Sequence, residues 1–228
     1  MAPQTAKAED TRDRILDAAI RLFNRSGTAA VTTNHVAADL GISPGNLYYH
    51  YRNKTDLVRA AFDRMNDEAD ALWASPFGPA GIDVTRLLQG NMRLFERYAF
   101  FGRELPSLLY ADLTLKTRYA QITLRRRAEV ERSVERLCEL GMMVDPGPDA
   151  RGRLVEACWV LGLFWMGYAD ISIDAPLPEQ VRRGAQLVLE VLRPHLVPGV
   201  HALLHGVISS WAPAKKTRVT SRSSPRGD

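Results

Sequence analysis

At 228 residues, with 46% hydrophobic and 25% charged residues, the chain has the length and balance of a globular protein made of a small unit and a larger one; that composition favours neither a disordered nor a membrane class. The net charge of +4 invites a nucleic-acid reading, yet residues 212–228 alone hold five basic residues (Lys215, Lys216, Arg218, Arg222, Arg226) against one acid, so DNA binding has to rest on motif geometry. The two cysteines, Cys138 and Cys158, lie far apart and outside any C-x-x-C, which leaves nothing from which to build a disulfide framework or a zinc cluster.

The first residues are polar and charged rather than basic and then apolar, so a cytoplasmic protein is expected. The longest uncharged apolar stretch, Ala157–Ala169, falls short of the ~20 residues of a spanning helix, and no membrane partner is expected. Helical periodicity dominates throughout and no run alternates long enough for a sheet, so the fold class is all-α. A first helix is expected from Asp10 or Thr11, with Ile15, Ala18, Ala19, Leu22 and Phe23 at i, i+3, i+4, i+7 and i+8 and Gly27 at its end. Thr33 is the expected cap of a short helix whose inward face is Val36, Ala37 and Leu40, closed by Gly41. Ser43 can cap the next helix with Pro44 at its first position and Leu47 inside. Asn53 with Asp56 marks a fourth start, and Leu57, Ala61, Phe62, Met65, Ala69 and Leu72 form its stripe until Ser75-Pro76-Phe77-Gly78-Pro79 breaks it. Further helices are expected near 82–101, 104–111, 115–140, 150–171, 178–193 and 200–211. The tail from Ala212 has no apolar stripe and is expected to be a disordered basic segment.

Two short helices joined by a tight glycine turn, the second polar on its outer face, form a helix-turn-helix by geometry. The run TNHVAADLGISPGNLYYHYRNKTDL, Thr33 to Leu57, closely resembles the pattern of TetR-type bacterial transcriptional regulators: a Thr-capped helix, an Ala-x-x-x-Gly turn at Ala37–Gly41, Leu47 to His50 as a Leu-Tyr-x-His recognition helix, and Asn53 to Leu57. Exposed N–H groups at Thr33 and Ser43 suit phosphate, and Gly45 and Asn46 fall where small or amide residues reach base edges. The resemblance implies phosphate contacts from Thr33, Tyr49, His50 and Lys54 and base contacts mainly from Asn34, Gly45, Asn46 and Tyr48. Asn34 and His35 stand where relatives often carry other polar or basic residues, so base preference does not transfer. Tyr48 and Tyr51 also fit core aromatics, Tyr51 best of all, and Thr33 fits a pure cap.

The organisation that follows is a three-helix DNA-binding head over residues 1–60, a helical ligand-binding and dimerisation body over 61–211, and the tail. In the family such a body holds a small-molecule cavity. Phe95, Tyr98, Arg103, Tyr110, Tyr119 and Trp165 are the candidate lining, although an aromatic stripe at helical spacing also reads as core and Arg103 beside Glu104 as a structural ion pair. The segment Ala157–Tyr168 is apolar nearly all round. The resemblance supplies a reason, a four-helix interface of a homodimer, with Trp159, Phe164, Val188 and Leu192 as candidates; a monomer core is the alternative. Arg125-Arg126-Arg127 reads as a solvated face. His201 and His205 stand at i, i+4 without a third ligand, so no metal is expected. Neither a catalytic constellation nor a phosphate loop is found, so no enzyme and no cofactor are expected. The function implied is a regulator, a repressor released from palindromic double-stranded operator DNA by an unknown small-molecule effector. Two alternatives are an architectural DNA-binding dimer without a ligand and a helical small-molecule-binding protein.

Overall fold

The structure is a computed structural model and describes residues 3–74, 77–78 and 81–212. Among them run ten α-helices: α1 (Pro3–Ala30), α2 (Thr33–Leu40), α3 (Pro44–His50), α4 (Lys54–Trp73), α5 (Val84–Arg97), α6 (Ala99–Ala111), α7 (Leu113–Glu139), α8 (Pro148–Ser172), α9 (Leu177–Leu192) and α10 (Pro198–Ser210). The expected basic tail lies outside the described residues, apart from Ala212.

The short helices follow their caps. Asn53 accepts from the Asp56 amide at 2.9 Å and Ser43 from the Asn46 amide at 3.2 Å, each satisfying a donor that the first turn leaves unpaired. At α2 the expectation was off by one: Thr32 is the cap, its hydroxyl accepting from His35 N while its own amide donates to His35 Nδ1. A Thr-Thr pair offers two hydroxyls, and the reciprocal bond to the third helical residue selects the earlier one. Gly41 (φ 64) turns the chain in the left-handed region between α2 and α3, which a side chain would resist. Gly27 (φ 75, ψ 157) breaks helical geometry inside α1, and α1 itself begins at Pro3 rather than at Asp10 or Thr11.

Three further departures concern the body. A two-residue antiparallel hairpin, β1 (Phe77–Gly78) with β2 (Gly81–Ile82), sits where only a break was expected. The segment expected over 82–101 is two helices, because Tyr98 (φ −114, ψ 34) leaves helical geometry and α6 starts at Ala99, five residues before Glu104. On length and composition α8 also qualifies as a membrane-crossing helix, unlike its uncharged stretch alone, but it packs in this fold against α6, α7 and α9.

The core of α1–α4 is built from Ile15, Leu22, Phe23, Val36, Leu47 and Phe62, and the same cluster continues into the body through Phe100, Phe101 and Leu115. Phe23 and Phe100 meet at 5.2 Å between ring centroids, so α1 and α6 share one apolar seam. Behind it α6 crosses α8 closely: a Cβ on Gly102 would stand 2.9 Å from the Met166 Cβ. Pro106 has no N–H for the Gly102 carbonyl one turn back, and Gly167 of α8 lies over that carbonyl, 3.5 Å from where its own Cβ would be. A glycine at each position lets two backbones touch where a helix interior has given up a hydrogen bond.

Candidate nucleic-acid interface and cavity

On the outer surface of α2 and α3 the structure assembles most of the expected contact residues. Asn34, Ser43, Gly45, Asn46, Tyr48 and Tyr49 are exposed, while Thr33, His50 and Lys54 are half-buried. The Thr33 and Tyr48 hydroxyls lie 3.1 Å apart, tying the first turn of α2 to α3. Tyr49 stands 81% exposed, its ring edge-on to His50 at 5.1 Å. An aromatic so open has no packing role in the monomer. Tyr51, by contrast, is core: it is buried, its hydroxyl donates to Arg12 O at 3.3 Å, Arg12 lies over its ring, and burial pushes its phenol up.

Lys54 does more than project. Its Nζ donates to Thr28 O at 2.7 Å, and Thr28 is held from the other side by the body: its amide donates to Glu104 Oε1 at 2.9 Å and its hydroxyl to the same carboxylate. Asn24 adds a second tie, accepting from Phe100 N at 2.9 Å and donating to Arg97 O at 2.7 Å. The end of α1 is therefore clamped between the start of α4 and one face of α6.

The adjoining face of α6, Phe101, Gly102 and Leu105, is part of the wall of a cavity of about 420 Å³ lined by α4 to α9. This lies within the ~300–1,000 Å³ of small-molecule sites. Phe95, Tyr98, Tyr119 and Trp165 line it as expected. Tyr98 is anchored through its hydroxyl to Glu68 Oε1 at 2.9 Å, and burial with that carboxylate nearby pushes its phenol well above the usual range. Trp165 donates through Nε1 to Gln180 O at 2.7 Å, and burial raises the Tyr119 phenol. Cys158 also lines the cavity, and burial pushes its thiol up to about 11, so it is an apolar wall rather than a nucleophile at neutral pH.

Two of the expected lining residues are elsewhere. Tyr110 is 78% exposed at the end of α6, near Lys116. Arg103 is not among the cavity-lining residues: it pairs with Asp170 at 3.0 Å and donates to Asn24 O, a structural ion pair whose partner is Asp170 and not the neighbouring Glu104. Of the residues assigned to a dimer interface, Trp159 and Val188 line the cavity, and Leu192 packs beside Val134, Met143 and Val155. Only Phe164 is half exposed, and it shares its face with Val160, Tyr168 and Ile171, the last 88% exposed, while Leu187 and Val191 of α9 are open too. Their i, i+4, i+8, i+11 spacing along α8 was readable, but an all-round apolar helix offers several such stripes.

Arg126 was missed. Of the three consecutive arginines it alone is buried, 6% exposed, and it is the one charged side chain among the described cavity-lining residues. The signal was its place on the stripe Tyr119, Ile122, Thr123, Arg126, Val130, which is one face of a helix. Its guanidinium pairs with Asp70 of α4 and with Glu129 at 3.3 Å. Three more ion pairs join α4 to α7 and its cap: Arg59 binds Asp112 in a fork at 2.6 and 2.8 Å, Asp63 binds Arg118, and Asp70 also binds Arg125 at 2.9 Å. The Arg59 fork, with the Leu115 and Thr114 amides, holds the Asp112 carboxyl below its usual range. His201 and His205 stack at 6.3 Å, and among the described residues no group of three or more metal-ligating side chains is present.

A helix-turn-helix with an exposed polar face, clamped to an all-helical, cavity-bearing body, defines a DNA-binding class of regulator. The comparisons are specific: the description of bacterial regulatory proteins of the tetR family matches residues 15–61, and that of TetR bacterial transcriptional repressors matches residues 64–204. The chain belongs to the TetR family of bacterial transcriptional regulators. A TetR-family regulator of Marinobacter aquaeolei VT8 superposes with a TM-score of 0.75 at 31% identity over 89% of this chain and 99% of that one. The complex of SmeT with triclosan shares the fold, with a TM-score of 0.60 at 20% identity over 84% of this chain and 94% of that one. The regulator TtgR of Pseudomonas putida is 36% identical over 66 residues, 29% of this chain and 31% of its own length, so the match to this curated relative spans under a third of it.

Proposed function

We propose that the protein is a cytoplasmic homodimeric repressor that occludes a palindromic operator and leaves it when a small molecule fills the cavity of the body. The observation that carries this reading is the clamp on Thr28: one α6 face lines the cavity while Phe100 and Glu104 beside it hold the end of α1, and Lys54 at the edge of the polar surface holds the same residue. In this reading Asn34, Gly45, Asn46 and Tyr48 meet base edges, and Thr33, Ser43, Tyr49, His50 and Lys54 meet phosphates. The Lys54 ammonium has a third donor beyond those given to Thr28 O and, at 3.5 Å, to Ala29 O. The open face of Val160, Phe164, Tyr168 and Ile171 with Leu187 and Val191 supplies the apolar interface that sets two recognition helices ~34 Å apart for successive major grooves.

Selection from random duplexes, followed by titrations of variants over a salt series, tests the DNA half. Lys54→Ala is expected to weaken all duplexes alike and lower the salt slope by about one unit, and Asn46→Ala to relax discrimination at one symmetric pair of positions. An unchanged affinity and slope for Lys54→Ala overturns this docking. A thermal-shift screen tests the effector half: a compound at a hundredfold excess over Kd adds about 2.7 kcal/mol of stability, and by reciprocity it lowers operator affinity. If stabilising compounds leave operator affinity untouched, the protein is an architectural DNA binder.

A further inference from the structure

The cavity wall is apolar except for a few polar tips, and most of these are already engaged. Asn66 and Asn91 donate back to Phe62 O and Leu87 O of their own helices, and Tyr98 and Trp165 donate to Glu68 and Gln180. The one charge in the described wall is Arg126, and no described lining residue is acidic. A buried cation needs a carboxylate, because water is withheld from it. Its partner Asp70, however, is poorly committed: that side chain is 43% exposed and also bonds Arg125 Nη2, at 2.9 Å from both of its oxygens. The pair is lopsided. Asp70 can return to water while keeping Arg125, whereas Arg126, buried on the wall, would be left with Glu129 alone, at 3.3 Å.

We propose, on the reading that this cavity is the effector site, that the effector is an amphiphilic anion, an apolar body with a carboxylate or sulfonate group, which takes Arg126 from Asp70. The apolar body lies between the α4 stripe Phe62, Met65, Ala69 and Trp73 and the α7 stripe that carries Arg126. The anion supplies charge-assisted, fork-shaped hydrogen bonds to the guanidinium. A cation of the same shape finds no carboxylate in the wall and faces Arg126 at close range. A neutral molecule fills the space but leaves the Asp70–Arg126 pair standing. Exchange of the anion removes the buried half of the Asp70 link between α4 and α7 and leaves the exposed Arg125 half, so α4 is loosened rather than detached. Because α4 begins at Lys54, charge recognition in the cavity acts on the element that reaches the polar surface.

The test uses two fluorescent probes with one skeleton, anilinonaphthalene sulfonate and phenylnaphthylamine, which differ by the sulfonate, titrated into the full chain. Arg126→Gln is expected to weaken the sulfonate probe about tenfold, the worth of a hydrogen bond to a charged group, with the neutral probe unchanged. Asp70→Asn keeps the arginine and leaves it with only the longer Glu129 pair, so the sulfonate probe is expected to tighten several-fold, again with no effect on the neutral one. Equal losses for both probes in Arg126→Gln, or a sulfonate affinity indifferent to both substitutions, overturns the anion assignment while the cavity stands. If Arg126→Gln does not fold, the sign of the Asp70→Asn effect decides alone. If neither probe binds the unsubstituted protein, the cavity is not a ligand site and the proposal falls with that reading.

Discussion

The helix-turn-helix region and the body use apolar side chains in opposite ways. Around α1 to α3, Ile15, Ala18, Val36 and Leu47 are sealed against one another, and short helices are fixed by Thr32, Ser43 and Asn53. In the body Phe95, Trp159, Trp165 and Val188 surround about 420 Å³ of empty space. A filled core gives up dispersion contacts whenever an atom is removed, whereas a wall already facing a void has fewer to lose. The contrast teaches that one region is built to hold a shape and the other to accept a change of contents.

Leu47→Ala is expected to cost about 2–5 kcal/mol in denaturant unfolding, and Val188→Ala distinctly less; equal costs would mean that the body is as tightly packed as the core around α3. Next comes Gly102→Ala, where the new methyl meets Met166 at the α6–α8 crossing: about 1–3 kcal/mol of destabilisation is expected, and a neutral thermal melt would show that the crossing yields.

Asp112 sharpens the role of ion pairs between α4 and α7. Asp112→Asn keeps the cap of α7 and removes the charge; Asp112→Ala removes both and is expected to cost about 1 kcal/mol more. Since Arg59 lowers the folded-state pKa of Asp112, its contribution is fully present above the ordinary carboxylate range and is lost as pH falls through the depressed value. The stability gap between the parent protein and Asp112→Asn should therefore close in acid, as melts at neutral and acid pH would record; a constant gap rules out the charge as its source. The smallest effect has the opposite sign. Gly162→Ala places a methyl 3.6 Å from the Phe95 ring, an ordinary contact, and removes a helix-interior glycine. It is expected to stabilise by about 0.5–1 kcal/mol.

What the sequence could tell follows the same divide. The caps, the left-handed Gly41 and the stripe Ile15, Ala18, Ala19, Leu22, Phe23 are short-range signals, and they lead to the structure with a one-residue slip at Thr32. In the body a stripe says that a face is apolar but not what it meets. Trp159 and Val188 proved to face the cavity, Leu192 a satellite core, and Ile171 solvent. Tyr98 hid a helix break because α5 and α6 continue the apolar pattern across it. Arg126 was concealed by its neighbours, since three successive arginines read as one charged run although they point about 100° apart and only Arg126 falls on the stripe of Tyr119, Ile122 and Val130.

Thr28 has one further consequence. Glu104, Thr28 and Lys54 are joined in series through one residue, the Thr28 amide and hydroxyl donating to the carboxylate, the amide at 2.9 Å, and the Thr28 carbonyl accepting from the ammonium at 2.7 Å. Such bonds tolerate only a few tenths of an ångström before they weaken. A displacement of the α6 carboxylate larger than that must either snap one of the two links or carry the lysine ammonium with it. The position of a charge at the protein surface and the position of a helix at the edge of an internal void are thus a single mechanical coordinate, and the stiffness of that coordinate is set at a threonine that touches neither the void nor the polar face.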